Sequence, residues 1–184
     1  MKKRNLLFRI SIVIFSVFTL LYIIYSFSKN AKIGEKAPEF TTQLVNGENY
    51  SLSNSRGNYV LLYFWGSWCG PCIRNAPELV AISENYKSKF FDKDSKLEIL
   101  SVALEKKGKK WKRVVNKFGF KWELQVVQFH KIVLNSSIAN KYGVLEIPSK
   151  FLIDPDGNIV LSKTSFSEIE QYLEKRLITS IVWS

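Results

Sequence analysis

Cys69 and Cys72 are the only cysteines in a chain of 184 residues, and two residues separate them. A dithiol exchanges with a disulfide when one sulfur is a thiolate and the other can attack the mixed disulfide that results. Cys-x-x-Cys spacing meets both needs where a strand runs into a helix. The first sulfur then sits at the helix N-terminus, where unpaired N–H groups and the macrodipole stabilise negative charge. Gly70-Pro71 suits that place, since proline in a first turn gives up only an N–H without an intrahelical partner. Cys72 falls one turn further in, more covered and within reach of the mixed disulfide. Other uses of the pair are weaker. A bridge across two residues closes too small a loop to restrain the unfolded chain. A four-ligand zinc site would need more than two cysteines and the single histidine, His130. His130 has no ligand partners around it and reads as a surface or packing residue. Neither a metal nor a cofactor is implied.

Elements able to position the pair follow from the patterning. Val60 to Trp65 is a dense apolar run suited to a strand buried on both faces, with Trp65 in the core. Ile73, Ala76, Leu79, Val80, Ile82, Ser83 and Tyr86 then fall at helical spacing. Residues 97–104 make a second buried strand, 111–118 a helix and 122–127 a short strand. Upstream, residues 39–53 alternate around Asn46-Gly47 and predict a β-hairpin. Downstream, Ser136 to Tyr142 reads as a short helix ended at Gly143. Strands over 150–153 and 158–162 flank the turn Asp154-Pro155-Asp156-Gly157, and Ser167 is expected to cap a final helix. Strand–helix–strand followed by a hairpin and a helix predicts an α/β fold, a mixed central sheet with helices on both faces.

The rest of the chain concerns location. Residues 10–27 carry no charge over eighteen positions, about 27 Å as a helix against a hydrocarbon layer of roughly 30 Å. Tyr22 and Tyr25 lie near the outer end, where amphipathic rings favour the interface. This is expected to be a transmembrane anchor after a basic start over residues 1–9. A cleaved signal is the rival, although its apolar core is usually shorter. Lys2, Lys3, Arg4 and Arg9 precede the run and Lys29 and Lys32 follow it, which favours an inside N-terminus. Either reading puts the folded part outside the cytoplasm. Residues 28–37 read as a linker, 38–177 as the domain and 178–184 as a tail. The formal charge of +11 raises the question of nucleic acid, but no nucleic-acid motif accompanies it. Lys106, Lys107, Lys109, Lys110, Lys112 and Arg113 form a second basic run, read as a solvated loop or as a patch for anionic lipid or an acidic partner.

Phe64-Trp65-Gly66-Ser67-Trp68-Cys69-Gly70-Pro71-Cys72, with Pro77, resembles the thioredoxin active-site segment. Ile33-Gly34-Glu35-Lys36-Ala37-Pro38-Glu39-Phe40 and Ile147-Pro148-Ser149-Lys150-Phe151-Leu152-Ile153-Asp154 make residues 33–177 similar to the membrane-anchored TlpA/ResA-like branch, and the former motif is shared with peroxiredoxins. The resemblance implies a thioredoxin-like fold with the hairpin as an N-terminal extension. It also implies a cis Pro148 facing the dithiol, and Ile147 offering backbone hydrogen bonds to an extended substrate. Trp68, Gly70 and Pro71 join these as substrate-contacting residues. Thioredoxins usually place a buried acid six residues before the first cysteine, and this chain has Tyr63 there. With an unperturbed pKa of about 10, tyrosine is not a ready base. Glu105, just after the second core strand, is the candidate proton shuttle, its rival role being that of a surface acid opening the lysine-rich loop.

The implied function is extracytoplasmic thiol–disulfide exchange by a monomer, with protein disulfides or dithiols as substrates. A reducing direction fits Gly70-Pro71, the dipeptide of thioredoxin, and requires an electron donor not visible in the sequence. Two other readings stay open. One is a thioredoxin-like binding or chaperone module with incidental cysteines. The other is a thiol peroxidase, against which stands the missing Pro-x-x-x-Thr approach to Cys69.

Overall fold

A computed structural model describes residues 2–28, 31–108, 110–131 and 134–178. Met1, residues 29–30 of the expected linker, Lys109 of the basic run and residues 179–184 of the tail lie outside the described residues. The chain forms two compact units, Met1–Asn30 and Ala31–Ser184.

The first unit is one helix, α1 (Lys2–Ser28). The Thr19 hydroxyl donates to the Phe15 and Ser16 carbonyls and that of Ser16 to the Val13 carbonyl, so both polar side chains are satisfied within the helix. Phe15, Phe18 and Leu21 stand exposed. Among the described residues no helix is long and apolar enough to cross a membrane. The structure therefore supplies the helix expected over 10–27 and does not establish it as a transmembrane one.

The second unit is built on a five-stranded mixed sheet. Its strands are β3 (Tyr59–Trp65), β4 (Leu97–Glu105), β5 (Gln125–Phe129), β6 (Ser149–Ile153) and β7 (Ile159–Ser162), in the order β5-β4-β3-β6-β7. β3, β4 and β5 run parallel, while β6 and β7 are antiparallel to their neighbours. The central β3 is buried on both faces along its whole length. Val60, Leu62 and Phe64 enter one core layer with Ile138, Ala139 and Tyr142. Leu61, Tyr63 and Trp65 enter the other with Leu79, Ile82 and Phe166. The helices are α2 (Gly70–Tyr86), α3 (Lys110–Phe118), α4 (Ser137–Lys141) and α5 (Phe166–Glu174). In α2, Ala76, Leu79, Ile82 and Tyr86 form the buried stripe that seats it on the sheet. The expected hairpin is β1 (Thr41–Gln43) against β2 (Asn49–Ser51).

Three expectations need correction. The last helix is capped by Ser165, not Ser167. The Ser165 hydroxyl accepts from the Glu168 N–H, and the Glu168 carboxylate accepts from the Ser165 N–H, a reciprocal capping box. The third strand of the core sheet, β5, begins at Gln125 rather than Trp122, because Trp122 instead stacks on Phe120 and donates to the Ser101 hydroxyl. Residues 34–37 are not a free linker. The Gly34 N–H donates to the Ile159 carbonyl, the Ala37 N–H to that of Gly157, and the Ile159 N–H to that of Glu35.

Candidate active site

Cys69 is the N-cap of α2, in extended backbone, and Pro71 occupies the first turn. The two sulfurs are joined as a disulfide. The Cys72 N–H donates to Cys69 Sγ at 3.1 Å, so one free helix donor already points at that sulfur. In the reduced state the same donor and the helix dipole would stabilise a Cys69 thiolate. Both sulfur-bearing residues are covered, Cys72 at 2% exposure and Cys69 at 5%. An attacking partner must therefore reach Cys69 past the residues that border it.

Ile147 is one of them. Its carbonyl oxygen lies 3.6 Å from Cys69 Sγ, and the Ile147–Pro148 bond is cis. A disulfide sulfur carries no proton, so this is a contact here. A reduced Cys69 thiol would have an acceptor at that place. The loop is braced by the Ser149 hydroxyl, which donates to the Glu146 carbonyl at 2.7 Å. Ile147 and Pro148 are half-buried, and Gly70 and Pro71 are exposed.

The turn from β3 into α2 holds the other wall. A Cβ on Gly66 would stand 2.7 Å from Trp68 Nε1 and 3.0 Å from the Leu104 carbonyl, so only glycine fits there unshifted. Trp68 Nε1–H donates to that carbonyl at 2.8 Å while the residue stays 51% exposed. Its ring is thus fixed at one end and presented to solvent beside Cys69. Trp65 is core, as expected.

Glu105 ends β4 and is buried, not a surface acid. Among the described residues it is the one carboxylate so covered. Its oxygens accept from the Ser67 N–H at 2.6 Å and the Ser67 hydroxyl at 2.9 Å. It therefore grips the turn two residues before Cys69, and it borders an open cavity next to that turn. Tyr63 is fully covered with its hydroxyl unpartnered, and burial, aided by Glu78, pushes its pKa well above the usual range. It is not a base at neutral pH.

Two participants had no role assigned from the sequence. Ser67 is the donor to Glu105, and nothing in its local pattern marks it. Lys150 pairs in register with Tyr63 across β3 and β6, and its Nζ lies 4.6 Å from the Phe166 ring centroid. Burial pushes its pKa down, partly opposed by Glu78. Strand alternation could have found it, because Lys150 and Leu152 must share a face and Leu152 belongs to the layer under α2. His130 ends beyond β5, its N–H donating to the Glu105 carbonyl. No cluster of potential metal ligands occurs among the described residues.

The AhpC/TSA family profile matches residues 33–162. Thiol-disulfide oxidoreductase ResA of Bacillus thuringiensis strain Al Hakam is 31% identical over 182 residues, covering 95% of this chain and 98% of its own. ResA of Bacillus subtilis strain 168 is 30% identical over 163 residues, 86% of this chain and 84% of its own. Among solved structures, a thiol-disulfide oxidoreductase from Bacteroides fragilis NCTC 9343 is similar with a TM-score of 0.66. It is 29% identical, over 77% of this chain and 98% of that one.

Proposed function

The chain belongs to the AhpC/TSA family and, within it, to the ResA-like thiol–disulfide oxidoreductases of thioredoxin fold, and from that premise we propose that it reduces disulfides of partner proteins outside the cytoplasm. The observation that carries the proposal is the Cys69–Cys72 pair at the head of α2, with the Ile147 carbonyl 3.6 Å from Cys69 Sγ. The Cys69 thiolate attacks one sulfur of the partner's disulfide, and the other leaves as a thiolate. Cys72 then attacks Cys69 Sγ, and the partner's second sulfur departs. The partner gains two electrons and two protons, and the dithiol becomes the disulfide.

Each neighbour has a part in this. Trp68, Gly70, Pro71, Ile147 and Pro148 form the rim against which an extended segment of the partner lies, held by the backbone of Ile147. Glu105 is the proton acceptor and donor for the dithiol, working through solvent in the cavity it borders. An external electron donor returns Cys69 and Cys72 to the reduced state. Residues 10–27 hold the monomer to the membrane, a reading supported by their uncharged length and the four basic residues before them.

Incubating the reduced full-length protein with a peptide disulfide tests the activity. The expected result is two peptide thiols released per protein oxidised, with Cys69→Ser inactive. No release by the native protein would overturn it. Family membership keeps a peroxidase in view, and hydrogen peroxide consumption by the reduced protein measures it. The Pro-x-x-x-Thr approach missing before Cys69 predicts none beyond that of a free thiol.

A further inference from the structure

The basic run that follows β4 meets the dithiol in space. A cavity of about 730 Å³ is lined by Ser67 and Trp68, the two residues before Cys69, together with Glu105, Lys106, Lys107, Gly108 and Lys110. The three lysines are exposed, and none enters an ion pair among the described residues. The one acid in the lining is buried, with both of its oxygens taken by Ser67. The cavity thus has an aromatic wall and a basic rim, and its single carboxylate is recessed and hydrogen-bonded to Ser67.

We propose that this cleft is a specificity site that receives an acidic segment of the partner protein lying next to the disulfide to be reduced. The inference rests on the exchange activity proposed above and adds the class of substrate. A segment whose cystine sulfur meets Cys69 must pass either the Ile147 side or the Trp68 side. On the Trp68 side, Asp or Glu side chains meet three exposed ammonium groups while an apolar neighbour covers the indole. Uncompensated positive charge beside a reactive centre raises the encounter rate of an anionic partner, and salt screens the effect.

The test compares two disulfide peptides identical except for Asp and Glu against Asn and Gln around the cystine. Reduced full-length protein in uncharged detergent is mixed with each, at low and high ionic strength. The acidic peptide is expected to react about tenfold faster at low salt, with the ratio approaching one at high salt. In a variant carrying Lys106→Gln, Lys107→Gln and Lys110→Gln the two rates should converge. Equal rates for the two peptides with the native protein would overturn the inference, whether or not the lysines bind anionic lipid vesicles. No reaction with either peptide would instead overturn the exchange activity beneath it.

Discussion

Replacing Glu105 separates the two parts assigned to it. Glu105→Ala removes a buried carboxylate that accepts two short hydrogen bonds from Ser67. Hydrogen bonds to a charged group contribute roughly 1.5–3 kcal/mol each. They act on one residue here, and the half-buried Ser67 hydroxyl can turn to water once released. The backbone N–H loses its partner, and relief of the carboxylate's desolvation offsets some of the loss. The net cost is about 2–3 kcal/mol, which lowers a urea midpoint by roughly 1 M. Glu105→Gln keeps an acceptor for the Ser67 N–H and a donor for its hydroxyl, so it should cost only about 1 kcal/mol. The fluorescence of the buried Trp65 and Trp111 follows unfolding. Exchange with a peptide disulfide measures the second part, and loss of a general acid–base group predicts about a hundredfold slower reaction in the Gln variant. An Ala midpoint equal to the native one would refute the grip on Ser67. A Gln variant exchanging at the native rate would refute the proton role.

Four further outcomes follow from the same physical chemistry. Ser165→Ala should destabilise the domain by about 1 kcal/mol while Ser167→Ala is near neutral, as thermal unfolding will show. Glu168 is held down to about 2 by the Thr164 hydroxyl and the Ser165 N–H and hydroxyl, so its contribution is complete above pH 4.5 and fades as pH falls through about 2. At the alkaline end, burial pushes Tyr50 up to about 12 and Tyr63 and Tyr142 higher still. Their stabilisation is whole below pH 10 and lost as pH rises through the folded values, roughly 2–3 kcal/mol for Tyr50 alone. The part of the tyrosinate absorbance that a Tyr50→Phe variant lacks should therefore rise together with unfolding, and its appearance at about pH 10 with structure intact would contradict it. Lys150→Met removes a cation that burial disfavours, so it should raise the urea midpoint at neutral pH. The gain should shrink as pH approaches 10.5, where the native lysine sheds its proton in both states.

The elements nearest the chemistry were the ones the sequence made plainest. Residues 60–65 are apolar without a break, so only a strand buried on both faces suits them, and Cys69-Gly70-Pro71-Cys72 agrees with a helix start at every position. Cis Pro148 opposite the sulfur came from resemblance rather than from spacing. What stayed hidden depends on distant partners. Glu105 is a candidate from resemblance, but its hold on Ser67 is not legible in the run of lysines it opens, because it depends on the parallel pairing of β3 with β4 across thirty-eight positions. Ser165 and Ser167 are both good caps by type, and the choice is decided by Glu168 standing three residues after the first. Lys150 sits in a strand motif where its charge argues for solvent, and the register with Tyr63 turns it inward. The basic loop gave no hint of its neighbour, because nothing local says that residues 106–110 and Trp68 line one cleft.

The central claim is that Cys69 is the attacking sulfur and Cys72 the resolving one. Reduced Cys72→Ala protein mixed with a peptide disulfide tests it most directly, with intact mass and peptide mapping as the readout. The account predicts a stable mixed disulfide on Cys69 that dithiothreitol releases, and no accumulated adduct on the native protein, where Cys72 clears it. A Cys72→Ala protein that forms no adduct, or a native protein that retains one, would contradict the account.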